Sequence, residues 1–124
     1  MASVLILEDD FELAKAWQQA LEASGHTATI ARSSQEAIEK VKRNRFDAAV
    51  VDLMIDTPPD SEPDSGIHFL RTLRNLEMPM PKLIGVSGYY GSDKGEMAAN
   101  LLKVYGVHKI VLKPFEPAVL IQLI

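Results

Sequence analysis

Short apolar runs alternate with amphipathic segments along the whole chain, and this alternation restricts the fold more than any other feature. Five runs predict strands, at residues 3–7, 26–31, 46–53, 82–87 and 109–112. A segment with apolar residues at helical spacing follows each strand after a short connection. Because parallel neighbours need a crossover of this kind, the pattern predicts an α/β fold with a doubly wound, five-stranded parallel sheet between two layers of helices.

Local signals mark the ends of the predicted helices. Gly25 is the expected C-terminal cap of a first helix over residues 11–24, and Ser33 with Glu36 forms a capping box for the second. Gly66 opens a third helix, a fourth is expected around residues 96–103, and a last one begins near residues 116–117 and ends in an apolar run that looks cut. The residues expected at inward-facing spacing are Leu13, Ala16, Trp17, Ala20 and Leu21 in the first helix and Ile67, Leu70, Leu73 and Leu76 in the third.

Composition excludes several classes of protein. At 124 residues, with 47% hydrophobic and 24% charged residues, the chain is expected to be one globular domain. It has no cysteine, which excludes disulfides and thiolate chemistry, and no membrane-span or signal-like segment, so a cytoplasmic location is the default. The net charge of -4 argues against direct contact with nucleic acid.

Functional side chains occur where the predicted strands end. The buried run Ala49-Val50-Val51 leads directly into Asp52, and the first strand leads into Glu8 and Asp9, with Asp10 as a further candidate. The fourth strand ends in Ser87 and the fifth leads into Lys113. Because ligands bind beyond the carboxyl ends of the strands in open parallel sheets, we expect these side chains to converge there.

These residue types suit magnesium and a phosphoryl group. Neighbouring carboxylates need a counter-charge, and Mg²⁺ accepts carboxylate oxygens together with a backbone carbonyl, which Met54 could supply. Lys113 and Ser87 could each contact an oxygen of a phosphoryl group. Asp52 stands opposite the acidic pair and is the best-placed carboxylate to accept that group as an aspartyl phosphate.

The chain resembles the receiver domain of two-component response regulators over essentially all of its 124 residues. The matching motifs are Val4-Leu5-Ile6-Leu7-Glu8-Asp9-Asp10, Val51-Asp52-Leu53-Met54, Val86-Ser87-Gly88 and Leu112-Lys113-Pro114-Phe115. The resemblance implies the flavodoxin-like (βα)5 fold and phosphoryl transfer from a kinase phosphohistidine to Asp52. It implies metal binding by Glu8 and Asp9, with Asp9 favoured as the direct ligand, and phosphoryl contacts from Ser87 and Lys113. It also implies a cis Lys113-Pro114 peptide.

Three positions depart from the family pattern. The stretch from Asp56 to Ser65 is long, acidic and rich in proline, so it is expected to be a loop beside Asp52. A solvated insertion is the favoured interpretation, and a determinant of partner choice or phosphoryl lifetime is the alternative. Ile110 stands where the family usually has the aromatic residue that moves on phosphorylation. The third departure follows the hydroxyl residue, where Ser87-Gly88 leads into Tyr89 and Tyr90. One of these tyrosines could replace the moving aromatic residue, although simple loop packing is favoured.

The leading hypothesis is a phosphorylation-switched signalling module and not an enzyme acting on a separate substrate. Its partners would be a sensor histidine kinase or phosphotransfer protein and a downstream effector or output domain, and the chain could also form a homodimer. By resemblance the switched surface would be that of the fourth helix, fifth strand and fifth helix. One alternative is a degenerate receiver that binds partners without phosphorylation. Another is a magnesium-dependent phosphohydrolase with an aspartyl-phosphate intermediate. Met54 disfavours it, because haloacid-dehalogenase-type enzymes have a second aspartate two residues after the nucleophile. His26, His68 and His108 lack metal-site spacing and are expected at the surface or its boundary.

Overall fold

The computed structural model describes residues 1–53, 66–76, 79–87 and 105–124. The strands are β1 (Ser3–Leu7), β2 (Thr27–Ala31), β3 (Ala48–Asp52), β4 (Lys82–Ser87) and β5 (Val107–Leu112). The helices are α1 (Phe11–Ala23), α2 (Ser34–Arg43), α3 (Gly66–Asn75) and a C-terminal helix (Ala118–Leu123). These elements confirm the predicted ones apart from shifts at their ends, whereas the predicted helix at 96–103 and loop at 56–65 lie outside the described residues.

The five strands form one parallel sheet in the order β2-β1-β3-β4-β5, as the alternating pattern predicts. β1 and β3 are interior neighbours in this order, and Leu7 of β1 is paired with Val51 of β3. Ser87, the last residue of β4, is paired with Leu112 of β5. The register therefore brings the carboxyl ends of four strands to the same edge of the sheet.

Each face of the sheet carries its own hydrophobic core. Alternate residues of a strand point to opposite faces, so Leu5 and Leu7 belong to one core while Val4 and Ile6 belong to the other. The first core is completed by buried residues of α2 and α3, and the second by α1 and the C-terminal helix. Every residue of β3 is buried, which explains why its sequence is a continuous apolar run up to Asp52.

The inward faces of two helices differ from the predicted ones. In α1 the buried residues are Ala14, Trp17 and Leu21, whereas Leu13 and Ala16 are exposed. Both Leu13 and Ala14 have helical spacing from Trp17, and the sequence pattern alone does not decide which of them faces the sheet. In α3, Phe69 is buried with the predicted Leu70 and Leu73, while Leu76 is only partly buried. The sequence prediction does not include Phe69, because the predicted inward face follows the spacing of Ile67, Leu70, Leu73 and Leu76.

Side chains cap the first two helices. Asp10 Oδ1 accepts hydrogen bonds from the backbone N–H groups of Glu12 (3.1 Å) and Leu13 (3.3 Å). Ser33 Oγ accepts one from Glu36 N–H (3.2 Å), as the predicted capping box requires, but Glu36 Oε2 accepts from Arg32 N–H (3.3 Å) rather than from Ser33. Asp10 therefore has a structural role at the start of α1, distinct from that of the two acids before it.

Gly66 is placed so tightly that a larger residue does not fit. A Cβ atom at this position would overlap the backbone carbonyl oxygen of Asp52 and would lie 2.5 Å from Val51 Cγ1. The carbonyl belongs to the end of a fully buried strand, so it cannot move as a flexible side chain can. The absence of a side chain thus lets the start of α3 approach the end of β3.

We expect Gly66→Ala to destabilise the protein by about 1–3 kcal/mol, the usual cost of an overpacked core. Alanine is the better helix former by about 1 kcal/mol, so the substitution would stabilise the chain if the position were open. Urea denaturation monitored by circular dichroism gives the sign of the change, with Arg71→Ala on the exposed side of α3 as the control. Unchanged or increased stability of Gly66→Ala would contradict this packing.

No helix within the described ranges combines the length and apolar character that crossing a membrane requires.

Candidate functional site

The predicted site residues lie together at the carboxyl edge of the sheet. Glu8 follows β1 and is 1% exposed, Asp52 ends β3 and is 2% exposed, and Ser87 ends β4 and is 4% exposed. Asp9 is half-buried, as is Lys113, which follows β5. Backbone hydrogen bonds continue past the strand ends, from Glu8 N–H to Ala31 O (3.1 Å) and from Lys113 N–H to Ser87 O (2.8 Å). The sheet therefore fixes the backbone positions of Glu8, Asp52, Ser87 and Lys113.

Lys113 joins the acids of two strands. Its Nζ lies 3.0 Å from Glu8 Oε1 and 3.2 Å from Glu8 Oε2, and it also lies 3.2 Å from Asp52 Oδ2. Glu8, Asp9 and Asp52 each place a carboxylate oxygen within 4.8 Å of the other two. One cation and three carboxyl groups thus meet at the edge of the sheet.

Burial and neighbouring charges shift the pKa values of Glu8 and Lys113. Burial raises the pKa of Glu8 to about 8, and its hydrogen bond with Asp52 and the charge of Asp52 act in the same direction, against a smaller opposing effect of Lys113. Burial alone would lower the pKa of Lys113, but its hydrogen bond to Glu8 and the charges of both acids outweigh burial and raise it. Without a bound metal ion, the lysine is therefore a cation and Glu8 retains its proton into the neutral range.

The raised pKa of Glu8 predicts a specific dependence of stability on pH. In the presence of a chelator the unfolded chain loses this proton above its ordinary pKa of 4.5, while the folded chain keeps it to about 8. The folded state binds more protons across this window, so this contribution to stability is complete below pH 4.5 and is lost as the pH rises to about 8. Glu8→Gln cannot ionise and should avoid this loss, which we expect to be roughly 1–3 kcal/mol.

Urea denaturation of both proteins at a series of pH values, with chelator present, measures this difference. The stability of Glu8→Gln relative to wild type should increase as the pH rises, whereas Glu39→Gln, an exposed acid of α2, should follow the wild-type profile. Parallel profiles for wild type and Glu8→Gln would show that Glu8 ionises normally in the folded chain.

Two aromatic residues beside Lys113 extend the site beyond the predicted set. The Trp17 ring, 2% exposed, stacks on the Phe115 ring with a centroid distance of 5.4 Å and an interplanar angle of 22°. Lys113 Nζ lies 5.9 Å from the centroid of the Trp17 ring. Trp17 was predicted to pack in the core or its flank, which is confirmed, but helical spacing carries no signal for its contact with a lysine 96 residues later in the chain.

The remaining sequence predictions have different outcomes. The Lys113-Pro114 peptide is cis, as the resemblance implies. Ile110 is partly buried against the core, and its Cγ1 would lie 3.4 Å from a Cβ atom at Gly85. Met54, the acidic stretch at 56–65 and the two tyrosines at 89–90 lie outside the described residues, so their predicted roles stay predictions.

The three histidines lie where the sequence predicts them. His26 is half-buried, and its Nδ1 accepts a hydrogen bond from the backbone N–H of Ala2 (3.0 Å). His68 and His108 are exposed. None of them belongs to the acid cluster.

Comparison with known proteins extends this description. The model of the response regulator receiver domain family matches residues 4–124. The probable transcriptional regulator ycf29 of Porphyra purpurea is 27% identical over 124 residues, which are 98% of this chain and 54% of that protein. The chain thus spans about half the length of this curated relative.

Solved structures give the same result. The Francisella response regulator 1452 receiver domain superimposes with a TM-score of 0.80 and 27% identity, covering 99% of this chain and 93% of the other. A CheY-like response regulator receiver domain protein from Methanospirillum hungatei JF-1 has a TM-score of 0.78 and 26% identity, covering 98% and 89%. With its parallel sheet, its clustered acids and a family match over nearly its whole length, the chain belongs to the response regulator receiver domain family of two-component signalling.

Proposed function

We propose that the chain is a phosphoacceptor receiver that takes a phosphoryl group onto Asp52 in a magnesium-dependent reaction. The donor would be the phosphohistidine of a sensor histidine kinase or phosphotransfer protein. The result would be a switched partner-binding surface and not turnover of a separate substrate.

One observation carries the proposal: Lys113 Nζ lies 3.2 Å from Asp52 Oδ2, and Asp52 belongs to a cluster of three carboxyl groups. The cation is placed where negative charge would accumulate if a phosphoryl group were attached to Asp52. Ser87 is buried at the end of the neighbouring strand, at the same edge of the sheet. A phosphoacceptor, a cation and a hydroxyl group are thus supplied by three adjacent strands.

The donor set fits magnesium. Glu8, Asp9 and Asp52 offer hard carboxylate oxygens within 4.8 Å of one another, and Mg²⁺ prefers oxygen ligands of this kind. Burial raises the pKa of Glu8, and the neighbouring charge of Asp52 adds to this effect, so a further cation beside these acids would favour their ionised forms. These three residues would hold the ion, with Met54 O as the further predicted ligand. Bound there, Mg²⁺ would neutralise carboxylate charge and the charge on the phosphoryl oxygens.

The residues of the chain account for the rest of the reaction. An Asp52 carboxylate oxygen attacks the phosphorus in line with the bond to the donor imidazole nitrogen, and that bond breaks with its electron pair left on the nitrogen. Lys113 moves from Asp52 Oδ2 to a phosphoryl oxygen, and Ser87 donates a hydrogen bond to another. Lys113 Nζ lies 3.2 Å from Asp52 Oδ2 before the phosphoryl group arrives, so a short movement is enough, and this lowers the cost of organising the transition state.

The surface that would respond includes β5. Ile110, at the position of the usual moving aromatic residue, is partly buried there against the core. This observation favours the second candidate function, a degenerate receiver whose surface binds a partner constitutively. The complete set of acids, hydroxyl group and lysine favours the phosphoacceptor, and we retain that as the main proposal.

The partners follow from the same proposal. The curated relative has roughly twice the length of this chain and is described as a probable transcriptional regulator. We propose that the chain acts as the receiver unit at residues 1–124 and passes its state to an output domain or a separate effector, with a homodimer as a further form of output. Nucleic acid would then be contacted by the output partner and not by this acidic chain.

The first test is titration of the ¹⁵N-labelled chain with Mg²⁺ and then with beryllofluoride, which mimics a phosphoryl group on the acceptor. The proposal predicts that beryllofluoride binds only with Mg²⁺ present and shifts the amide signals of Asp9, Asp52, Ser87 and Lys113. Shifts that spread to Ile110 would indicate a switch that works without the usual aromatic residue. Binding of Mg²⁺ without beryllofluoride, or no binding of either, would favour the constitutive interaction module.

A further inference from the structure

We propose that Trp17 is a positioning residue for Lys113, acting through its ring and through Phe115. The inference rests on the proposed function, because the position of Lys113 matters for activity only if its ammonium contacts a phosphoryl group. It concerns α1, which contributes none of the acids, hydroxyl group or lysine of the proposed reaction.

The first contact fixes the segment that carries the lysine. Lys113 and Phe115 flank Pro114 at the end of β5, and the Phe115 ring stacks on the Trp17 ring with a centroid distance of 5.4 Å. Trp17 is 2% exposed and belongs to the hydrophobic core that includes residues of β1, β3 and β4, so packing against the sheet restricts its ring. Phe115 is half-buried and packs against the same core, and its ring contact with Trp17 links the segment after β5 to α1.

The second contact acts on the lysine itself. Lys113 Nζ lies 5.9 Å from the Trp17 ring centroid, within the range in which a ring face attracts a cation. The side chain of Lys113 is 24% exposed, so the ring and the two acids compete with water for the ammonium. A lysine stem is flexible, and the indole, 5.9 Å from Nζ, limits the positions that the ammonium adopts.

The two contacts together distinguish this role from simple core packing. A residue needed only for volume could be replaced by another apolar side chain with a general loss of stability. A residue that positions Lys113 should change what Lys113 does while leaving the acids, which stand on β1 and β3, where they are. Binding of the phosphoryl mimic and binding of the metal should therefore separate.

The experiment compares Trp17→Leu, Trp17→Phe and Phe115→Leu with the wild-type chain. Mg²⁺ affinity is measured first, and beryllofluoride affinity is then measured at saturating Mg²⁺, both from amide shifts. We expect Trp17→Leu and Phe115→Leu to weaken beryllofluoride binding about tenfold, while Mg²⁺ binds no more weakly than to wild type. Trp17→Phe keeps a ring face and should restore beryllofluoride binding to within about threefold of wild type.

Two further measurements cover a failure of Trp17→Leu to fold. Phe115→Leu removes the stack at a half-buried position and leaves the indole in the core. In the unaltered chain, whose single tryptophan is Trp17, beryllofluoride should change the fluorescence at saturating Mg²⁺, because Lys113 then moves relative to the ring. Lys109→Met, an exposed position of β5, should leave both affinities unchanged.

The outcomes separate this inference from the proposed function. If the wild-type chain binds beryllofluoride and the three variants do so equally well, or if the leucine variants lose Mg²⁺ and beryllofluoride binding in proportion, Trp17 has only a packing role. If wild type shows no Mg²⁺-dependent beryllofluoride binding, the proposed function itself is wrong, and this inference is wrong with it.

Discussion

Asp52→Asn should abolish phosphoryl uptake. The amide has nearly the same shape as the carboxylate and is expected to stay buried at the end of β3, where Asp52 is 2% exposed. It lacks the anionic oxygen that attacks phosphorus, so labelling by acetyl phosphate should fall by about 10³-fold or more, to background. The measurement is intact-protein mass spectrometry after incubation with acetyl phosphate and Mg²⁺.

Asp10→Asn is the matched control for this experiment. Asp10 lies two positions after Glu8, but its side chain caps α1, and asparagine caps a helix about as well as aspartate. The control should therefore be labelled at close to the wild-type rate. Labelling of Asp52→Asn at the wild-type rate would mean that another side chain is the acceptor and that the assignment of Asp52 is wrong.

Lys113→Met should reduce phosphoryl uptake by about 100-fold, which is typical for loss of one preorganised group that stabilises transition-state charge. Methionine keeps the length of the side chain and removes the ammonium that lies 3.2 Å from Asp52 Oδ2. The affinity for Mg²⁺ should be maintained or increased, because the ammonium competes with a metal ion for Glu8 and Asp52. Initial labelling rates and a Mg²⁺ titration followed by Trp17 fluorescence measure the two effects separately.

The control for Lys113→Met is Lys109→Met, which removes a cation from an exposed position of the same strand. It should affect neither the labelling rate nor the Mg²⁺ affinity. If Lys113→Met lowers both quantities together, the lysine mainly maintains the fold of the site, and its proposed contact with the phosphoryl group is unsupported. Without metal, the Lys113→Met chain should also be less stable than wild type, because the two buried acids Glu8 and Asp52 lose their neighbouring cation.

The contact partners of Lys113 show where sequence reasoning reaches its limit. The motif predicts that Lys113 lies at the edge of the sheet, and the structure places it there. Its distances to Glu8 and Asp52 depend on the pairing of β1 with β3, of β3 with β4 and of β4 with β5, and Lys113 is 105 residues from Glu8 in the sequence. The raised pKa of Glu8 depends in turn on burial produced by the complete fold, which no local pattern encodes.

The helices show the same limit. Helical spacing predicts α1 and α3, because a 3.6-residue period is a local property of the chain. The same spacing does not distinguish Ala14 from Leu13 as the residue that faces the sheet, nor does it select Phe69. The tight approach of Gly66 to the Asp52 carbonyl is likewise a contact between two elements, and the sequence shows only that a glycine begins the helix.

By itself the sequence determined the alternating strands and helices, the parallel sheet and the residues at its carboxyl edge, because these depend on hydrophobic periodicity and on the position of each residue within its own element. Tertiary structure alone decided which helix residues are buried, how Lys113 divides its contacts between two acids, and that Trp17 and Phe115 stack beside it. Those properties depend on contacts between segments that are far apart in the chain, and such contacts form only when both cores have packed against the sheet.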